Sequence, residues 1–494
     1  MKTSFEKTIN QEAIGDKELV QALYSHYQIC LGKSDEYLND YFGTDELESI
    51  PIGESVIFNA PVGCGKTTAI INALKYSRNT CNAVILTNRK ASKIQIKRAE
   101  IQGIRVMTYW ELAHSKGLYP FKKGTILIMD EIHYLTNDAT FSNDVMRIAE
   151  IIKTNKGNTI RIYCSATMDD VIGTICHLEY INNIHITTEY NSITKEQTSI
   201  RIPEMSIAKV YDMKSSWNHL DIKFYKFSDI NKLSDILNEA TSDESKTLVF
   251  TRSISRGNQF ADKLSDNKFV YASSNDDELL SDIAINECFE SSSLIATKVL
   301  ENGVSITDDD IKNIVIEEPD LVTFMQFLGR VRTKRKNPRQ LTLYIPDFTL
   351  NELKHFKAQC ELKLNIIREV INDPEYCMRN YNNYKQFVYY GGNGPQANLI
   401  AYKKFILMND YFSELIEQEK EKPHSFINAS PTSIQQILHY RTFYQQFQAH
   451  HSILFVLTEL IPPQEARKTV PSTVQATDCA TFSPFFRYRL EKDE

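Results

Sequence analysis

Short apolar runs alternate with longer stretches of helical periodicity over the first part of the chain. The runs in this first series are at residues 55–60, 83–87, 104–109, 125–129 and 160–164. Apolar residues at nearly every position are typical of parallel strands that helices cover on both faces. We therefore predict an α/β domain with a parallel sheet over residues 51–190, preceded by an acidic helical segment over residues 1–50.

A second series of the same kind follows an interval in which the alternation stops. Residues 191–220 are polar and carry Pro203 and Trp217, so we predict a connector there. The apolar runs then resume at residues 247–250, 269–272, 294–297, 311–316 and 341–345. This pattern predicts a second α/β domain over residues 221–348.

Helical periodicity replaces the alternation after the second series. Six apolar residues share one stripe of a predicted helix: Leu353, Phe356, Cys360, Leu364, Ile367 and Ile371. We predict a helical accessory domain with an irregular tail over residues 349–494. Its tyrosine-rich stretch at residues 376–390 could stack nucleobases, although aromatic residues at helical spacing more often fill a core.

Composition limits the class of protein. The chain has 494 residues, of which 42% are hydrophobic, which is enough for two or three packed domains. It has no apolar stretch of membrane-spanning length and no apolar signal-peptide core at its start, so we expect a soluble protein without membrane contact. Nine scattered cysteines without a Cys-x-x-Cys pair argue against a zinc site and a disulfide framework, and favour a cytoplasmic location. A net charge of −7 means that any polyanionic partner must bind a local basic patch.

The strongest chemical signal follows the first predicted strand. Its residues are Ala60, Pro61, Val62, Gly63, Cys64, Gly65, Lys66, Thr67 and Thr68. Glycines at positions 63 and 65 let backbone N–H groups curve around phosphates, and Lys66 can reach the β- and γ-phosphate oxygens. The hydroxyl of Thr67 is a ligand for Mg²⁺. We therefore predict that ATP and Mg²⁺ are the cofactors and that this segment, with the exception of Val62, binds them.

Two adjacent carboxylates follow the fourth strand of the first series. Asp130 and Glu131 lie at a strand's carboxyl end, where ligands of open α/β sheets bind. We predict that Asp130 holds Mg²⁺ and that Glu131 takes the proton of the attacking water. An acidic pair at a strand end is by itself often only a solvated loop, and the phosphate loop upstream favours the catalytic interpretation.

The second domain offers a complementary cation. Gln326 and Arg330 are one helical turn apart, so both head groups lie on one face. A guanidinium in that position can cross the cleft to the charge that develops on the γ-phosphate, and we predict that Arg330 does so, with Arg332 as a further catalytic candidate. A basic helix end is the alternative explanation of these arginines.

Together these segments resemble the motifs of superfamily 2 helicases of the DExH-box type. The matching motifs extend from Ala60 to Arg332, a little over half of the sequence. The resemblance implies two tandem RecA-like domains with ATP between them. By the same resemblance, His133, Ser165 and Thr167 couple hydrolysis to domain closure, although Thr167 could equally cap the next helix.

The resemblance also implies contacts with the nucleic acid and the nucleotide. The residues that match nucleic-acid-binding motifs are Arg89, Thr108, Thr251, Arg252 and Thr297. Gly303 matches a nucleotide-binding position. Arg332 stands one residue earlier than the usual second arginine, and Gly303-Val304-Ser305 replaces the usual Gly-x-Asp. These details are similar to those of viral origin-binding and mobile-element helicases. No aromatic contact for the nucleotide base stands out before Ser55.

Three functions remain open at this point. The favoured one is an ATP-dependent helicase or translocase that moves along a single strand and acts in DNA replication or repair, with DNA favoured over RNA as partner. The second is a nucleic-acid-stimulated ATPase switch in a defence, restriction or replication complex, which remodels protein partners without unwinding. The third, a scaffold with a degenerate ATP site, is disfavoured because Lys66, Asp130, Glu131 and Arg330 are all present.

Overall fold

A computed structural model shows two α/β domains and a smaller C-terminal module. The structure describes residues 16–33, 35–77, 82–88, 93, 96–97, 103–115, 119–187, 199–213, 219–241, 245–271, 277–300, 305–334, 338–391 and 394–421. Two of the predicted site residues, Arg89 and Gly303, lie outside these ranges, as does the predicted tail. Among the helices in the described ranges, none combines the length and the apolarity needed to cross a membrane.

The first domain contains a 7-stranded parallel sheet with the order β1-β9-β2-β6-β5-β3-β4. Its strands are β1 (Gln28–Gly32), β2 (Ser55–Asn59), β3 (Ala83–Thr87), β4 (Ile104–Thr108), β5 (Thr125–Met129), β6 (Thr159–Ser165) and β9 (Ile207–Met213). Strands β7 (Tyr180–Thr187) and β8 (Ser199–Met205) form a separate antiparallel pair. The central strands are buried along their whole length, as helices on both faces require.

Seven α-helices of the first domain lie within the described ranges. They are α1 (Asp16–His26), α2 (Thr44–Ser49), α3 (Lys66–Tyr76), α4 (Tyr109–Ala113), α5 (Tyr134–Asn137), α6 (Asp144–Thr154) and α7 (Asp169–Glu179). Helix α3 starts directly at the predicted phosphate loop, and α4 starts where β4 ends. Both helix N-termini therefore lie at the carboxyl edge of the sheet.

The second domain is built on a 6-stranded parallel sheet with the order β10-β15-β14-β11-β13-β12. Its strands are β10 (Leu220–Lys226), β11 (Lys246–Phe250), β12 (Asn267–Val270), β13 (Ser293–Ala296), β14 (Ile311–Ile316) and β15 (Leu341–Asp347). Its helices are α8 (Ile230–Thr241), α9 (Ile254–Ala261), α10 (Asp277–Asn286) and α11 (Leu321–Leu328). The predicted fold class, two tandem α/β domains with parallel sheets followed by a mostly helical C-terminal part, is confirmed at the level of these sheets and helices.

The C-terminal module is mostly helical. It comprises α12 (Leu350–Asn372), α13 (Pro374–Arg379), α14 (Tyr381–Tyr384), the antiparallel pair β16 (Val388–Gly391) and β17 (Gly394–Ala397), and α15 (Leu399–Glu421). Helix α12 starts at a capping box formed by Thr349 and Glu352. It buries four residues of the predicted stripe, while Phe356 and Ile371 are partly buried. Cys360, Leu364 and Ile367 of this stripe join the hydrophobic core of the first domain.

Two predicted boundaries differ from the structure. The predicted connector at residues 191–220 includes β9, which lies between β1 and β2 in the first sheet. The predicted N-terminal segment includes β1, which pairs with β9 at the edge of that sheet. Both strands were missed because β1 is short and half-exposed and because β9 follows a long polar interval, so their burial depends on distant partners.

Candidate active site

The predicted phosphate loop has the backbone that an anion site needs. It connects the buried strand β2 to α3, and Gly63 and Gly65 have φ angles of 78° and 81°. These left-handed conformations favour glycine, which lacks the clashing Cβ atom. Gly65 is also the N-cap of α3, so free backbone N–H groups and the positive end of the helix dipole face the loop.

Lys66 is held inside this loop. Its side chain is buried, and Nζ donates hydrogen bonds to the carbonyl oxygens of Ala60 at 2.7 Å and Pro61 at 3.2 Å. Carbonyl oxygens carry no net charge, so these bonds leave the ammonium charge available to an incoming anion. Of the other predicted loop residues, Cys64 is buried and Thr68 is exposed.

Asp130 and Glu131 lie beside the loop, as predicted. The N–H of Asp130 donates to the carbonyl of Leu86 and so continues the sheet for one residue beyond β5. Glu131 then takes a φ of 55°, which is rare for glutamate and marks the abrupt end of the strand. Strained residues of this kind, each costing about 1–3 kcal/mol, are common at active sites.

The pair Asp130 and Thr67 fits a magnesium ion. Burial, together with the charge of Glu131, raises the pKa of Asp130, and the nearby Lys66 and Thr67 oppose this rise without cancelling it. A buried carboxylate with a raised pKa lacks full neutralisation, which a divalent cation would supply. Carboxylate and hydroxyl oxygens beside a phosphate loop are the donor set that Mg²⁺ takes, together with phosphate oxygens and water.

Glu131 is the point at which the two domains meet. Its Oε1 lies 3.9 Å from Nη2 of Arg330, and its Oε2 lies 3.3 Å from Nδ1 of His133. Burial raises the pKa of Glu131, but the surrounding cations outweigh burial and lower it. Because burial lowers the pKa of His133 to about 4, His133 is neutral near pH 7, and the cations acting on Glu131 there are Lys66, Arg330 and Arg332.

A chain of polar contacts continues from His133 through the first domain. Nδ1 of His133 is 3.1 Å from Oγ of Ser165. The same hydroxyl accepts a hydrogen bond from the N–H of Thr167 at 3.0 Å and lies 3.4 Å from Oγ1 of Thr167. The three residues predicted to couple hydrolysis to closure are therefore in contact with one another and, through His133, with Glu131.

The series of polar contacts then crosses to the second domain and returns to the first. Nε2 of Gln326 donates to Oγ1 of Thr167 at 3.1 Å, and Oε1 of Gln326 accepts from Nη2 of Arg330 at 3.1 Å. The guanidinium of Arg330 faces Glu131, which closes a ring of contacts across the cleft. We call Glu131, His133, Ser165, Thr167, Gln326 and Arg330 the cleft ring.

The backbone after α11 explains why Arg330 and Arg332 point the same way. Helix α11 ends at Leu328, so Arg330 lies beyond the helix on which it was predicted. Here the chain is held by Ile306, whose N–H donates to the carbonyl of Arg330 and whose carbonyl accepts from the N–H of Arg332. In such an extended segment side chains alternate, which places both arginines on one side and Val331 in the core.

Arg332 faces the phosphate loop. Its Nε donates to Oγ of Ser305 at 3.0 Å, while its buried Nη1 has no hydrogen-bond partner among the described residues. A Cβ atom added to Gly63 would lie 3.7 Å from this Nη1. Burial, with a contribution from the charge of Arg330, lowers the pKa of Arg332 to about 10, so the group remains a cation near pH 7. Such a group is suited to a phosphate oxygen.

Four of the five predicted nucleic-acid contacts lie in the described residues, where each is part of local structure. The hydroxyl of Thr108 accepts from the N–H of Glu111 and thereby caps α4. The guanidinium of Arg252 lies over the ring of Phe356 in α12, 4.4 Å from its centroid. Thr251 is buried, and the N–H of Thr297 donates to the carbonyl of Val270.

Two aromatic residues near these segments were missed. Tyr37 lies beside the phosphate loop, since a Cβ atom on Gly65 would be 3.7 Å from its ring, and the neighbouring N–H of Leu38 donates to the carbonyl of Cys64. Trp110 in α4 is 59% exposed, and its ring stacks on His114 with centroids 4.3 Å apart. No periodicity separates Tyr37 from its neighbouring tyrosines, whereas an indole two residues after a strand-end threonine was a usable signal.

Comparison with known proteins yields similarity of fold. A scan against protein-family models finds no match, and a search of curated proteins finds none. Among solved structures, S. cerevisiae Dbp5 bound to RNA and ADP BeF3 is 12% identical, with a TM-score of 0.43, and covers 68% of this chain and 90% of its own. Mycobacterium smegmatis Lhr bound to ssDNA and AMP-PNP is 11% identical, with a TM-score of 0.37, and covers 72% and 48%. The DUF1998 helicase MrfA bound to DNA is 12% identical, with a TM-score of 0.44, and covers 74% and 61%.

The close approach of the phosphate loop to the arginine segment can be tested at Gly329. A Cβ atom there would lie 2.3 Å from Cγ2 of Val62, so Gly329→Ala should push the loop and the arginines apart. Because displacements of about 1 Å can cost about a hundredfold in rate, we expect ATP turnover to fall by one to two orders of magnitude. Gly157→Ala is the matched control, since a Cβ atom at that position meets no described atom within 4 Å. Wild-type turnover in Gly329→Ala would show that the two segments do not meet in the working enzyme.

Proposed function

We propose that this protein is an ATP-dependent nucleic-acid helicase or translocase. The observation that carries the proposal is the cleft ring, which joins Glu131 beside a phosphate loop in one domain to Arg330 in the other. A nucleotide in that cleft would contact both domains, so that binding favours closure and hydrolysis permits opening. Repeated closure can move two strand-binding surfaces past each other along a single strand.

The residues of the cleft divide the chemistry of phosphoryl transfer between them. The loop N–H groups and Lys66 bind phosphate oxygens, and Thr67 with Asp130 would hold Mg²⁺, which neutralises charge on the phosphates. Glu131 would orient the attacking water and accept its proton. The guanidinium groups of Arg330 and Arg332 stabilise the charge that develops as the phosphate bond breaks, and their burial strengthens that effect.

The carboxyl edges of the sheets are the proposed surface for the strand. Thr108 and Trp110 lie at this edge in the first domain, and Thr251, Arg252 and Thr297 lie at the corresponding edge in the second. Contacts to the phosphodiester backbone and stacking against bases would give binding with little sequence preference and a strong dependence on salt. We propose DNA as the partner because the arginine spacing resembles that of viral origin-binding helicases.

A nucleic-acid-stimulated ATPase switch is the second candidate. The C-terminal module contacts both domains, since Asn143 of the first donates to the carbonyl of Val388 and Arg252 of the second lies over Phe356. A module fixed to both sides of the cleft could transmit closure to a protein partner instead of separating strands. ATP turnover with single- and double-stranded DNA and RNA, together with strand displacement, distinguishes the candidates. Stimulation by a strand without displacement would favour the switch.

Two substitutions separate nucleotide binding from hydrolysis. Lys66→Ala should lose most of the affinity for ATP because the buried ammonium is the loop's only full charge among its described residues. Glu131→Gln should retain binding but lose turnover by about a hundredfold or more, because an amide cannot accept the proton of water. Fluorescent-nucleotide binding and phosphate release measure the two quantities. Wild-type hydrolysis by Glu131→Gln would contradict the assignment of this residue as the general base.

Trp110 provides a direct test of strand binding. The chain has two tryptophans, so Trp217→Phe leaves Trp110 as the single indole fluorophore. We expect single-stranded oligonucleotides to quench its emission, and Trp110→Ala to weaken their binding by about 1–3 kcal/mol for one lost stacking contact. Tyr76→Ala is the control, because Tyr76 is 72% exposed but ends α3 at the opposite edge of the sheet. Unchanged emission on saturation with oligonucleotide would place the strand elsewhere.

A further inference from the structure

Lys404 of α15 lies where the C-terminal module and both domains meet. Its side chain is 4% exposed, and Nζ pairs with a carboxylate oxygen of Asp170 in α7 of the first domain. The same Nζ lies 3.2 Å from Oδ1 of Asp320 in the second domain. One buried ammonium therefore bridges carboxylates on opposite sides of the cleft.

Both aspartates lie at the start of a helix that is close in sequence to a residue of the cleft ring. Asp170 lies in the first turn of α7, a few residues after Thr167. Asp320 is the N-cap of α11, where its Oδ2 accepts from the N–H of Thr323 at 3.1 Å, and α11 carries Gln326. Lys404 thus contacts the starts of α7 and α11. The distance between these two helix starts determines whether Gln326 reaches Thr167.

The contact between the two aspartates and α15 depends on the positive charge of Lys404. Burial lowers the pKa of Lys404, but attraction by Asp170 and Asp320 outweighs burial and raises it above its ordinary value, so the group is charged at neutral pH. Without the ammonium, two carboxylates at the junction would face each other across the domain boundary. Removing one partner of a buried charge cluster is costly because the remaining charges stay desolvated.

Lys404 contacts Asp170 in the first domain and Asp320 in the second, so opening of the cleft must break one of these two contacts. Ile400, Ala401 and Phe405 of α15 belong to the hydrophobic core of the first domain. Lys404 is therefore fixed to the side of Asp170, and the contact with Asp320 is the one that separates when the second domain moves away. Water would then have to solvate Asp320, which gives the closed arrangement an electrostatic advantage.

We propose that Lys404 is a positioning residue which ties the C-terminal module to both domains and holds the cleft closed through Asp320. The proposal rests on the proposed function, in which closure brings Arg330 and Arg332 to the nucleotide. The residue touches neither nucleotide nor strand, and it acts through α7 and α11. The module is thereby a part of the motor rather than a separate appendage.

The test compares two adjacent lysines. Lys404→Met should lower kcat for ATP about tenfold, with the KM for ATP changed by less than about threefold, because the phosphate loop itself is untouched. Lys403→Met is the matched control, since Lys403 pairs with Asp16 within the first domain and is 37% exposed, so it should behave like wild type. Asp320→Asn should reproduce the effect of Lys404→Met, because asparagine caps a helix as well as aspartate but lacks the charge.

A double variant with Lys404→Met and Asp320→Asn tests whether Lys404 acts through its contact with Asp320. If Lys404 acts through Asp320, the double variant should lose little more activity than either single variant. Small-angle scattering with AMP-PNP, Mg²⁺ and a single-stranded oligonucleotide should show a larger radius of gyration for Lys404→Met than for wild type. Thermal unfolding monitors the fold, and assays are run well below the lowest melting temperature.

Each outcome bears on the proposal. A lower melting temperature with kcat and radius of gyration equal to those of wild type would overturn it, since the contact would then be merely structural. Equal losses in the Lys403 and Lys404 variants would also overturn it. If the wild type does not hydrolyse ATP with any strand, the proposed function fails. Small-angle scattering of the nucleotide-free proteins still tests the contact between Lys404 and Asp320, because Lys404→Met should then have a larger radius of gyration than wild type.

Discussion

The structure depends on the neutralisation of buried carboxylates at a boundary between two domains. Asp130 is buried and the adjacent Glu131 is mostly buried, so their charges repel each other in a medium that screens less well than water. Lys66 supplies positive charge from within the first domain, whereas Arg330 and Arg332 supply it from the second. The position of the second domain is therefore linked to the charge state of the first. Bound nucleotide would enter the same balance, with its phosphates competing for the cations and its metal ion for the carboxylates.

Sheet topology brings these charges together. In parallel sheets every strand ends at the same edge, so loops that are far apart in sequence become neighbours. Thr67 and Asp130 follow two different strands of the first sheet, and Ser165 is the last residue of a third. The arginines reach this edge from the second domain because α11 ends at Leu328 and residues 330–332 run along Ile306. A helix continued through Arg332 would have directed the two guanidinium groups to different faces.

The sequence was sufficient to predict the fold class and the position of a glycine turn between a buried strand and a helix, because these depend on local patterns, whereas the roles of the loop and of the acidic pair stay predictions. Glycines that need a left-handed backbone and strands that are apolar throughout are visible in a single segment.

Contacts between distant segments are not visible in this way. Lys403 and Lys404 are chemically identical neighbours, and only the fold assigns one to the surface and the other to a buried junction. The same applies to Arg161, a charged residue inside a buried strand, whose partner Glu179 lies at the end of a later helix. Tyr37 likewise reaches the phosphate loop because β1 joins the sheet beside β9.

The course of the chain through the first domain has a consequence for its synthesis. Strand β9 separates β1 from β2 in the sheet, so the amino-terminal strand has no neighbour until residue 213 has been made. Residues of α12 and α15 complete the same hydrophobic core only after the whole second domain has followed. The second domain is therefore inserted, in sequence, between the parts of the chain that form the hydrophobic core of the first domain. A ribosome-bound nascent chain that ends at residue 348 would expose an apolar surface that its own later helices normally cover, and it would be a natural substrate for chaperones.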